Sequence, residues 1–349
     1  GKPVTTKTTF IPKERDGTVE LVFSFDSSSL AGQTVVAFEE IIYQGIHVIS
    51  HAEIDDAGQS VHYPEIGTVA RAAATGDAQV VISEKTTLLD TVSLTNLVPG
   101  ETYTLKGRLM DRETGEPLLV NEKEVTAETT FTAENASGSL ELSFTFDAFS
   151  CRGKTFVVFE ELYCNAARVA SEADLANENQ TVYLPDLKTM AADQQTGIHT
   201  GTIGPQTVIV DTVLYSNLLP GKEYSVFGKL MLQSTGEPFL MSGKEVTAET
   251  TFIAENTSGS VELSFTIDSS SLWGETLVVF EDLYREGLLL VSHADLEDEA
   301  QSVRYPKLGY LTVDGGSGAY RLGHVATGDG KNLHRAGESL ALAATMLVC

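Results

Sequence analysis

Two acidic residues lie inside otherwise apolar, strand-like segments of the sequence. Asp211 is flanked by Ile-Val and Thr-Val, and Glu281 follows Val-Val-Phe. Side-chain alternation places Glu281 on the same strand face as Leu277 and Val279, so we expect it to be at least partly buried. Two carboxyls in one core share a proton, because like charges at short range raise one of the two pKa values. Such a pair can donate a hydrogen bond to an amide oxygen.

A buried glutamate also has a purely structural explanation. Glu281 could accept hydrogen bonds from backbone amides at a β-bulge or pair with a lysine, and for a single residue this explanation is favoured. Three more side chains in the same segment change that balance. His293 and Gln301 lie eight residues apart near its end, and Thr189 lies near its start. The segment therefore combines carboxyls, an imidazole, an amide and a hydroxyl.

The set recurs with a period of 121 residues. Glu39 and Glu160 precede Glu281 at this interval, and Asp90 precedes Asp211. The same interval relates three further groups of residues, namely Gln59, Gln180 and Gln301; Thr68 and Thr189; and Pro64, Pro185 and Pro306. A period of this length is one domain per repeat, because each copy can close its own core.

The prolines predict the domain boundaries. We expect residues 1–64 to be the C-terminal part of a first repeat, 65–185 and 186–306 to be complete repeats, and 307–349 to be a diverged partial repeat or tail.

The fold predicted for each copy is all-β. Runs rich in Val, Thr, Phe and Tyr alternate with turn clusters; in the third copy these runs are 206–214, 223–230, 244–252, 260–267 and 276–284. Many short strands at this spacing indicate tandem immunoglobulin-like (Cna-type) antiparallel β-sandwich modules. No helix of typical length is predicted before residue 307.

Composition excludes several kinds of function. Asp and Glu number 49 against 23 Lys and Arg, so the formal charge of −26 disfavours nucleic acid as a partner.

Cys151, Cys164 and Cys349 show no metal-ligand spacing, so no metal and no disulfide framework is predicted. Cys151 and Cys164 flank a predicted strand at 155–163 and are expected to be free thiols. The first ten residues do not read as a signal peptide, which predicts that the chain begins inside a larger protein.

The combined motifs resemble the VaFE-repeat, or Thr-Gln ester-bond, domains of Gram-positive surface adhesins. The resemblance extends over residues 1 to about 306 and rests on Val-Ala-Phe-Glu at 36–39, Asp-Thr-Val at 211–213, Leu-Met at 230–231, Thr-Gly-Glu-Pro at 235–238 and Ser-His-Ala-Asp at 292–295. It implies an intramolecular ester between a first-strand Thr and a last-strand Gln, formed without a cofactor and with loss of ammonia.

The resemblance also implies a role for each residue of the third copy. Thr189 would be the nucleophile and the side-chain amide of Gln301 the electrophile. His293 would act as base on the Thr hydroxyl, while Asp211 and Glu281 would polarise the amide and stabilise the developing oxyanion.

The other copies depart from this pattern. The second copy keeps four of the five residues, namely Thr68, Asp90, Glu160 and Gln180. Glu172 stands where a histidine is expected, and a carboxylate could still serve as the base. The first, partial copy keeps Glu39, His51 and Gln59. It has no equivalent of the Thr, so we expect that it cannot close.

Other candidate residues are weaker. Thr212, beside Asp211, is a rival nucleophile; Thr189 is preferred because it lies in the first strand with Leu187 and Ala191 on its face. The remaining histidines are given no role, namely His47, His62, His199, His324 and His334.

By this resemblance the chain is the structural stalk of a bacterial adhesin, extracellular and attached to the cell wall, that cross-links itself once and turns over no substrate. Its partners would be neighbouring modules and a host ligand bound through a separate tip domain, with membrane contact only through a wall anchor. The tail supports anchoring weakly, because 325–329 and the apolar run 340–348 lack the Leu-Pro of a sortase signal. The alternative is a ligand-binding β-sandwich array whose buried polar residues are structural; its single tryptophan, Trp273, disfavours that reading.

Overall fold

The computed structural model describes residues 3–307, so all of the predicted tail except Lys307 lies outside it. The chain divides into two compact units. The first comprises Gly1–Asp186 and Asn217–Leu219, and so holds the partial first repeat and the second repeat. The other comprises Leu187–Ser216 and Pro220–Cys349, and holds the third repeat apart from Asp186 and Asn217–Leu219.

Strands and three short 3₁₀ turns are the only regular elements of residues 3–307, which contain no α-helix. The predicted all-β fold is therefore confirmed. The partial first repeat contains β1 (Thr34–Val36), β2 (Glu39–Tyr43), β3 (Ile46–His51) and β4 (Ser60–His62). They form two antiparallel pairs, β1 with β4 and β2 with β3.

The second repeat is built from ten strands. They are β5 (Glu65–Ala72), β6 (Thr86–Thr95), β7 (Thr102–Asp111), β8 (Leu119–Val120), β9 (Lys123–Glu124), β10 (Thr126–Thr132), β11 (Gly138–Phe146), β12 (Thr155–Cys164), β13 (Ala167–Glu172) and β14 (Thr181–Tyr183). One sheet has the order β11-β6-β5, and the other has the order β10-β7-β12-β13 with β14 also on β12. All these pairings are antiparallel.

The third repeat has the same plan. Its strands are β15 (Asp186–Asp193), β16 (Thr207–Ser216), β17 (Glu223–Leu232), β18 (Glu237–Pro238), β19 (Leu240–Met241), β20 (Lys244–Glu245), β21 (Thr247–Ile253), β22 (Gly259–Ile267), β23 (Thr276–Arg285), β24 (Leu288–His293) and β25 (Ser302–Arg304). The sheet β15-β16-β22 faces a six-stranded sheet in which β23 is central, flanked by β17 on one side and by β24 and β25 on the other.

The two sheets of each complete repeat pack closely enough to require glycine at one central position. A Cβ on Gly107 of β7 would lie 2.7 Å from Phe144 and 2.8 Å from Leu142, both on β11 of the opposite sheet. A Cβ on Gly228 of β17 would lie 2.5 Å from Leu263 of β22. The sheets therefore form a sandwich whose core lies between them, as the alternation of apolar residues predicted.

The predicted free thiols are also found, because Cys151 and Cys164 form no disulfide. No cluster of three or more His, Cys, Asp or Glu side chains suited to a metal ion occurs between residues 3 and 307. Over the same residues, no helix has the length and apolar character needed to cross a membrane.

Candidate functional site

Two buried carboxyl groups from opposite sheets meet in the core of the third repeat. Asp211 lies in the middle of β16, and Glu281 lies near the middle of β23. Asp211 is 0% exposed and Glu281 is 1% exposed. The two carboxyl groups lie close enough for each to shift the pKa of the other. The structure thus brings together the two acidic residues that the sequence placed 70 positions apart.

The carboxyl pair must hold a proton. As two carboxylates, the groups would leave Asp211 Oδ1 and Oδ2 and Glu281 Oε1 buried with no donor from any described residue. Burial raises the pKa of Asp211 to about 6. Burial, reinforced by the neighbouring Asp211, raises the pKa of Glu281 to about 11. Glu281 is therefore the neutral member of the pair at neutral pH, and its carboxyl can donate a hydrogen bond.

The purely structural explanation of Glu281 does not match its surroundings. The β-bulge of β23 lies between Leu283 and Tyr284, beyond the glutamate. The groups that act on the Glu281 carboxyl are side chains of the candidate site: Gln301 Nε2 donates a hydrogen bond to it, and the neighbouring Asp211 raises its pKa.

The Gln301 amide is held directly against Glu281. Its Nε2 donates to Glu281 Oε2, and the residue is 0% exposed. The resemblance implied a glutamine in the last strand, but Gln301 lies in the turn immediately before β25. Gln59 and Gln180 likewise end 3₁₀ turns, Ala57–Gln59 and Glu178–Gln180. A turn releases the side chain from strand alternation and lets the amide point into the core.

Thr189 lies in the first strand of the module, close to this amide. It is on β15 between Leu187 and Ala191, which are 3% and 0% exposed, as its predicted position on the buried face requires. The backbone N–H of Ala191 donates to the carbonyl of Ala300 at 2.8 Å, which ties this strand to the residue before Gln301. The Thr189 hydroxyl affects the pKa of Glu281 but makes no hydrogen bond of good geometry with any described residue.

His293 lies opposite Glu281 on the neighbouring strand. The two residues are direct partners in the register of β23 and β24. His293 Nε2 is 3.1 Å from Asp298 Oδ2, whereas Nδ1 is buried and finds no partner among residues 3–307. When Nε2 carries the proton and donates to Asp298, Nδ1 presents a lone pair toward the core.

Asp298 is a residue of the site that the sequence analysis missed. Besides contacting His293 through Oδ2, it accepts the backbone N–H of Ala300 at Oδ1 over 2.8 Å, which fixes the turn before Gln301. Asp56 repeats both contacts, with His51 Nε2 at 2.7 Å and with the N–H of Gly58. The sequence does contain a sign of this contact, because histidine and aspartate are five residues apart in both the first and the third repeat. The aspartate is difficult to single out because the loop around it contains several other acidic residues.

The second repeat assembles an equivalent arrangement in which a glutamate takes the place of the histidine. Asp90 and Glu160 are both 0% exposed and each affects the pKa of the other, and Gln180 Nε2 donates to Glu160 Oε2. Burial raises the pKa of both acids, that of Glu160 to about 10. Thr68 lies on β5 and is 8% exposed. Glu172 lies opposite Glu160, at the position that His293 takes in the third repeat.

The first repeat retains the glutamate, histidine and glutamine of the arrangement, namely Glu39, His51 and Gln59. Gln59 Nε2 donates to Glu39, and Glu39 is the register partner of His51. The side chains are more exposed than their counterparts in the complete repeats.

Two residues given lesser weight lie away from the centre. Thr212, the rival nucleophile, alternates with the buried Asp211 and Val213 on β16 and is only half-buried. His199 hydrogen-bonds the carbonyl of Ser302 at 3.2 Å instead of any side chain of the site.

Fold and site together define a class of protein: tandem β-sandwich modules whose complete copies each hold a threonine, a glutamine and a carboxyl pair with raised pKa values in one buried core. The family model of the T-Q ester bond containing domain matches residues 1–63, 64–184 and 185–305. The chain belongs to this family.

Solved structures resemble the chain at low identity. A Mobiluncus mulieris adhesin containing intramolecular disulfide, isopeptide and ester bond cross-links is 15% identical, with 65% of this chain and 84% of that one covered and a TM-score of 0.31. A red sea bream transglutaminase is 15% identical, with 72% and 32% covered and a TM-score of 0.24. No curated protein sequence matches the chain.

Proposed function

We propose that the third repeat closes an ester between Thr189 Oγ1 and the side-chain carbonyl carbon of Gln301, once per molecule, and that such modules in series form the stalk of a bacterial surface adhesin. The observation on which the proposal depends is the contact of the buried Gln301 amide with Glu281, a carboxyl that is neutral at pH 7. Membership of the T-Q ester bond family supports the same reaction.

An amide is a poor electrophile unless its oxygen is stabilised. In the structure the Gln301 nitrogen, Nε2, faces Glu281. A 180° rotation of the amide group about its bond to the rest of the side chain exchanges its oxygen and nitrogen, so that the neutral Glu281 carboxyl can donate to the oxygen. The donor then faces the oxygen on which negative charge develops. Because the site excludes water, the hydrogen bond is stronger than it would be at the surface.

A hydroxyl is a poor nucleophile unless a base accepts its proton. His293 Nδ1 has the free lone pair, and Asp298 holds the ring in the tautomer that leaves it free. In the reaction Thr189 Oγ1 loses its proton to Nδ1 and bonds to the Gln301 carbonyl carbon. The carbon–nitrogen bond then breaks, the imidazolium returns the proton to the leaving nitrogen, and ammonia departs. Folding supplies much of the rate, because β15 and the 301 turn hold both reactants side by side.

Intact mass tests the ester directly. Each closed module lowers the mass of the chain by one ammonia. In Thr189→Ala we expect the mass deficit of the third repeat, one ammonia relative to the calculated mass of the variant, to disappear. Thr212→Ala, which changes a threonine on the half-buried face, should keep that deficit. A wild-type protein with the full calculated mass overturns the cross-link.

The ester would suit the chain to bearing tension. It joins the first strand of the module to the turn before its last strand, so a pulling force would pass through a covalent bond instead of the sandwich core. Single-molecule extension tests this role: the wild-type third repeat should stay folded at forces that extend Thr189→Ala. Equal extension of both proteins contradicts the stalk function.

Surface location and wall attachment belong to the same proposal. The strongly acidic composition and the repeated modules support a solvent-exposed position outside the cell. Brief protease treatment of intact cells that express the full-length protein should release fragments of these repeats, and separation of wall from membrane fractions should place the remainder in the wall. Recovery of intact protein only after lysis contradicts both.

A further inference from the structure

The second repeat differs from the other two at a pair of contacting positions. Residues 121 apart give His51 and His293 as counterparts of Glu172, and Asp56 and Asp298 as counterparts of Asn177. The two changes occur together, and in each repeat the two side chains touch: His with Asp in the first and third, Glu with Asn in the second.

The exchange preserves the turn that positions the glutamine. Asn177 Oδ1 accepts the backbone N–H of Asn179 at 3.0 Å, just as Asp298 Oδ1 accepts that of Ala300. Either side chain can cap this turn, because both present an oxygen at the same place. Turn formation alone therefore does not explain why asparagine replaces aspartate here.

The exchange also matches donors with acceptors. Histidine donates from Nε2, and its partner is therefore an acceptor, aspartate. Glu172 is an acceptor, so its partner must donate, and Asn177 Nδ2 donates to Glu172 Oε1 at 3.2 Å. Aspartate at 177 would place two carboxylates in contact, which is unfavourable.

Asn177 makes one contact that its aspartate counterparts cannot make. Its Nδ2 also donates to the side-chain oxygen of Gln180, Oε1, at 3.3 Å. In the third repeat the corresponding oxygen of Gln301 is buried and receives no hydrogen bond from residues 3–307. The second repeat thus has an additional donor aimed at the amide oxygen.

Other groups near Glu172 are compatible with its acting as a base. Its register partner Glu160 has a pKa raised to about 10 by burial, then by Asp90, and also by Glu172 itself, so it is neutral at pH 7 and does not repel a carboxylate. The first strand β5, which contains Thr68, lies against both β13 and the 178–180 turn. The base, the hydroxyl and the amide are therefore held in one place.

We propose that Glu172 and Asn177 together replace the histidine–aspartate pair, so that the second repeat closes its own Thr68–Gln180 ester without histidine. Glu172 is the base, and Asn177 holds it while stabilising the Gln180 oxygen. The inference rests on the ester reaction proposed for the third repeat and adds a second form of its catalytic set.

The reaction balances as in the third repeat. Thr68 Oγ1 transfers its proton to the Glu172 carboxylate and bonds to the Gln180 carbonyl carbon. The oxygen of the tetrahedral intermediate keeps the hydrogen bond from Asn177 Nδ2, while Glu160 Oε2 keeps that from the leaving nitrogen. The carbon–nitrogen bond breaks, Glu172 returns the proton to the leaving nitrogen, and ammonia and the ester are the products.

The test is a time course of intact mass on the whole chain, with peptide mapping to assign each ammonia lost to its module. Wild type should lose one ammonia from the second repeat and one from the third. Glu172→Gln should slow closure of the second repeat by a factor of about 10² or more, the usual contribution of a general base. Asn177→Asp should slow it at least about tenfold, since it removes the donor to the oxygen.

Paired substitutions separate a catalytic role from a folding defect. The double variant Glu172→His with Asn177→Asp recreates the pair of the third repeat and should restore closure that Asn177→Asp alone loses. Reciprocally, His293→Glu with Asp298→Asn should close the third repeat faster than His293→Glu alone. Thermal melting of each variant against Thr68→Ala identifies any that fail to fold.

The possible outcomes are distinct. Closure of the third repeat with a permanently open second repeat overturns this inference and leaves the proposed function intact. Closure of the second repeat at an unchanged rate in Glu172→Gln also overturns it. Absence of both esters from wild type overturns the proposed function itself.

Discussion

His293 Nε2 lies 3.1 Å from Asp298 Oδ2, and this contact leaves Nδ1 as the only ring nitrogen of that histidine without a described partner. The same aspartate fixes the turn before Gln301. One side chain therefore contacts the imidazole and also fixes the turn that holds the amide. Five predictions follow from this arrangement and from the buried carboxyl pair.

The first prediction concerns the base. His293→Ala should slow ester formation in the third repeat by about 10² to 10⁴, the range for a general base. Asp298→Asn keeps the turn cap but removes the acceptor for Nε2, so closure should slow while the melting temperature of the unclosed module stays near that of Thr189→Ala. The time course of ammonia loss measures both rates. A rate for Asp298→Asn equal to wild type contradicts the orienting role.

The second prediction concerns the proton donor. Glu281→Gln preserves size and hydrogen-bonding but removes the acidic proton, and loss of one such donor to an oxyanion costs about 10² to 10³ in rate. Asp282→Asn, one residue further along β23 and half-buried against Ser292, is the matched control and should close like wild type. Equal rates in the two variants would rule out a role for the carboxyl pair.

The third prediction concerns stability. The proposed ester would close a loop of 112 residues between Thr189 and Gln301, which by chain-entropy arguments would stabilise the fold by about 5 kcal/mol. Thr189→Ala should lower the free energy of unfolding by roughly this amount, and Thr212→Ala should not. Denaturant unfolding followed by Trp273 fluorescence reports on the third repeat alone, because it is the single tryptophan of the chain. Superimposable curves for wild type and Thr189→Ala would contradict closure.

The fourth prediction concerns pH and uses the unclosed Thr189→Ala protein. The folded state raises the pKa of Asp211 to about 6 and that of Glu281 to about 11, so it binds more protons than the unfolded chain above pH 4. Stability should therefore be greatest near pH 4 and fall as the pH rises, by about 1.4 kcal/mol per pH unit for each group that ionises only on unfolding. Adding Glu281→Gln should flatten this dependence between pH 5 and 8. Stability that increases with pH over that interval contradicts the raised pKa values.

The fifth prediction concerns the space beside the buried acids. Gly107 is the register partner of Glu160, and a Cβ there would lie 2.7 Å from Phe144. Gly107→Ala should destabilise the second repeat by about 1 to 3 kcal/mol, the usual cost of overpacking. Gly138→Ala is the control, because no atom lies within 4 Å of a Cβ at that strand position. Similar melting temperatures for the two variants would contradict this prediction, because they would show that the two sheets accommodate a methyl group at position 107 with no loss of stability.

Much of the fold followed from the sequence because strand periodicity and turn residues are local signals. The run 276–284 was predicted as a strand, and β23 occupies Thr276–Arg285. The run 244–252 was predicted as one strand but is divided into β20 and β21 at Val246. A break of this kind depends on tertiary pairing, since β20 pairs with β19 whereas β21 pairs with β17.

The candidate site was only partly predictable. Acidic residues inside apolar strands indicate burial, and the constant repeat interval linked them to Thr189 and Gln301. Asp298 and Asn177 were missed because polar residues in an acidic loop carry no local sign of a contact with the base. Asp298 meets His293 only through the pairing of β23 with β24 and the turn that follows, and Asn177 meets Glu172 only through the pairing of β12 with β13 and its own turn.

The interval between repeats has a mechanical consequence. Thr189 follows Gln180 by nine positions, whereas each proposed ester would join residues 112 positions apart within a period of 121. With both esters closed, the nine backbone steps from Gln180 to Thr189 would be the only backbone between one cross-link and the next. At 3.3 to 3.6 Å per residue they contribute about 30 Å of extensible contour length per period. Pulling on the closed array would straighten these connectors and then meet covalent bonds, so each period would behave as a nearly inextensible link.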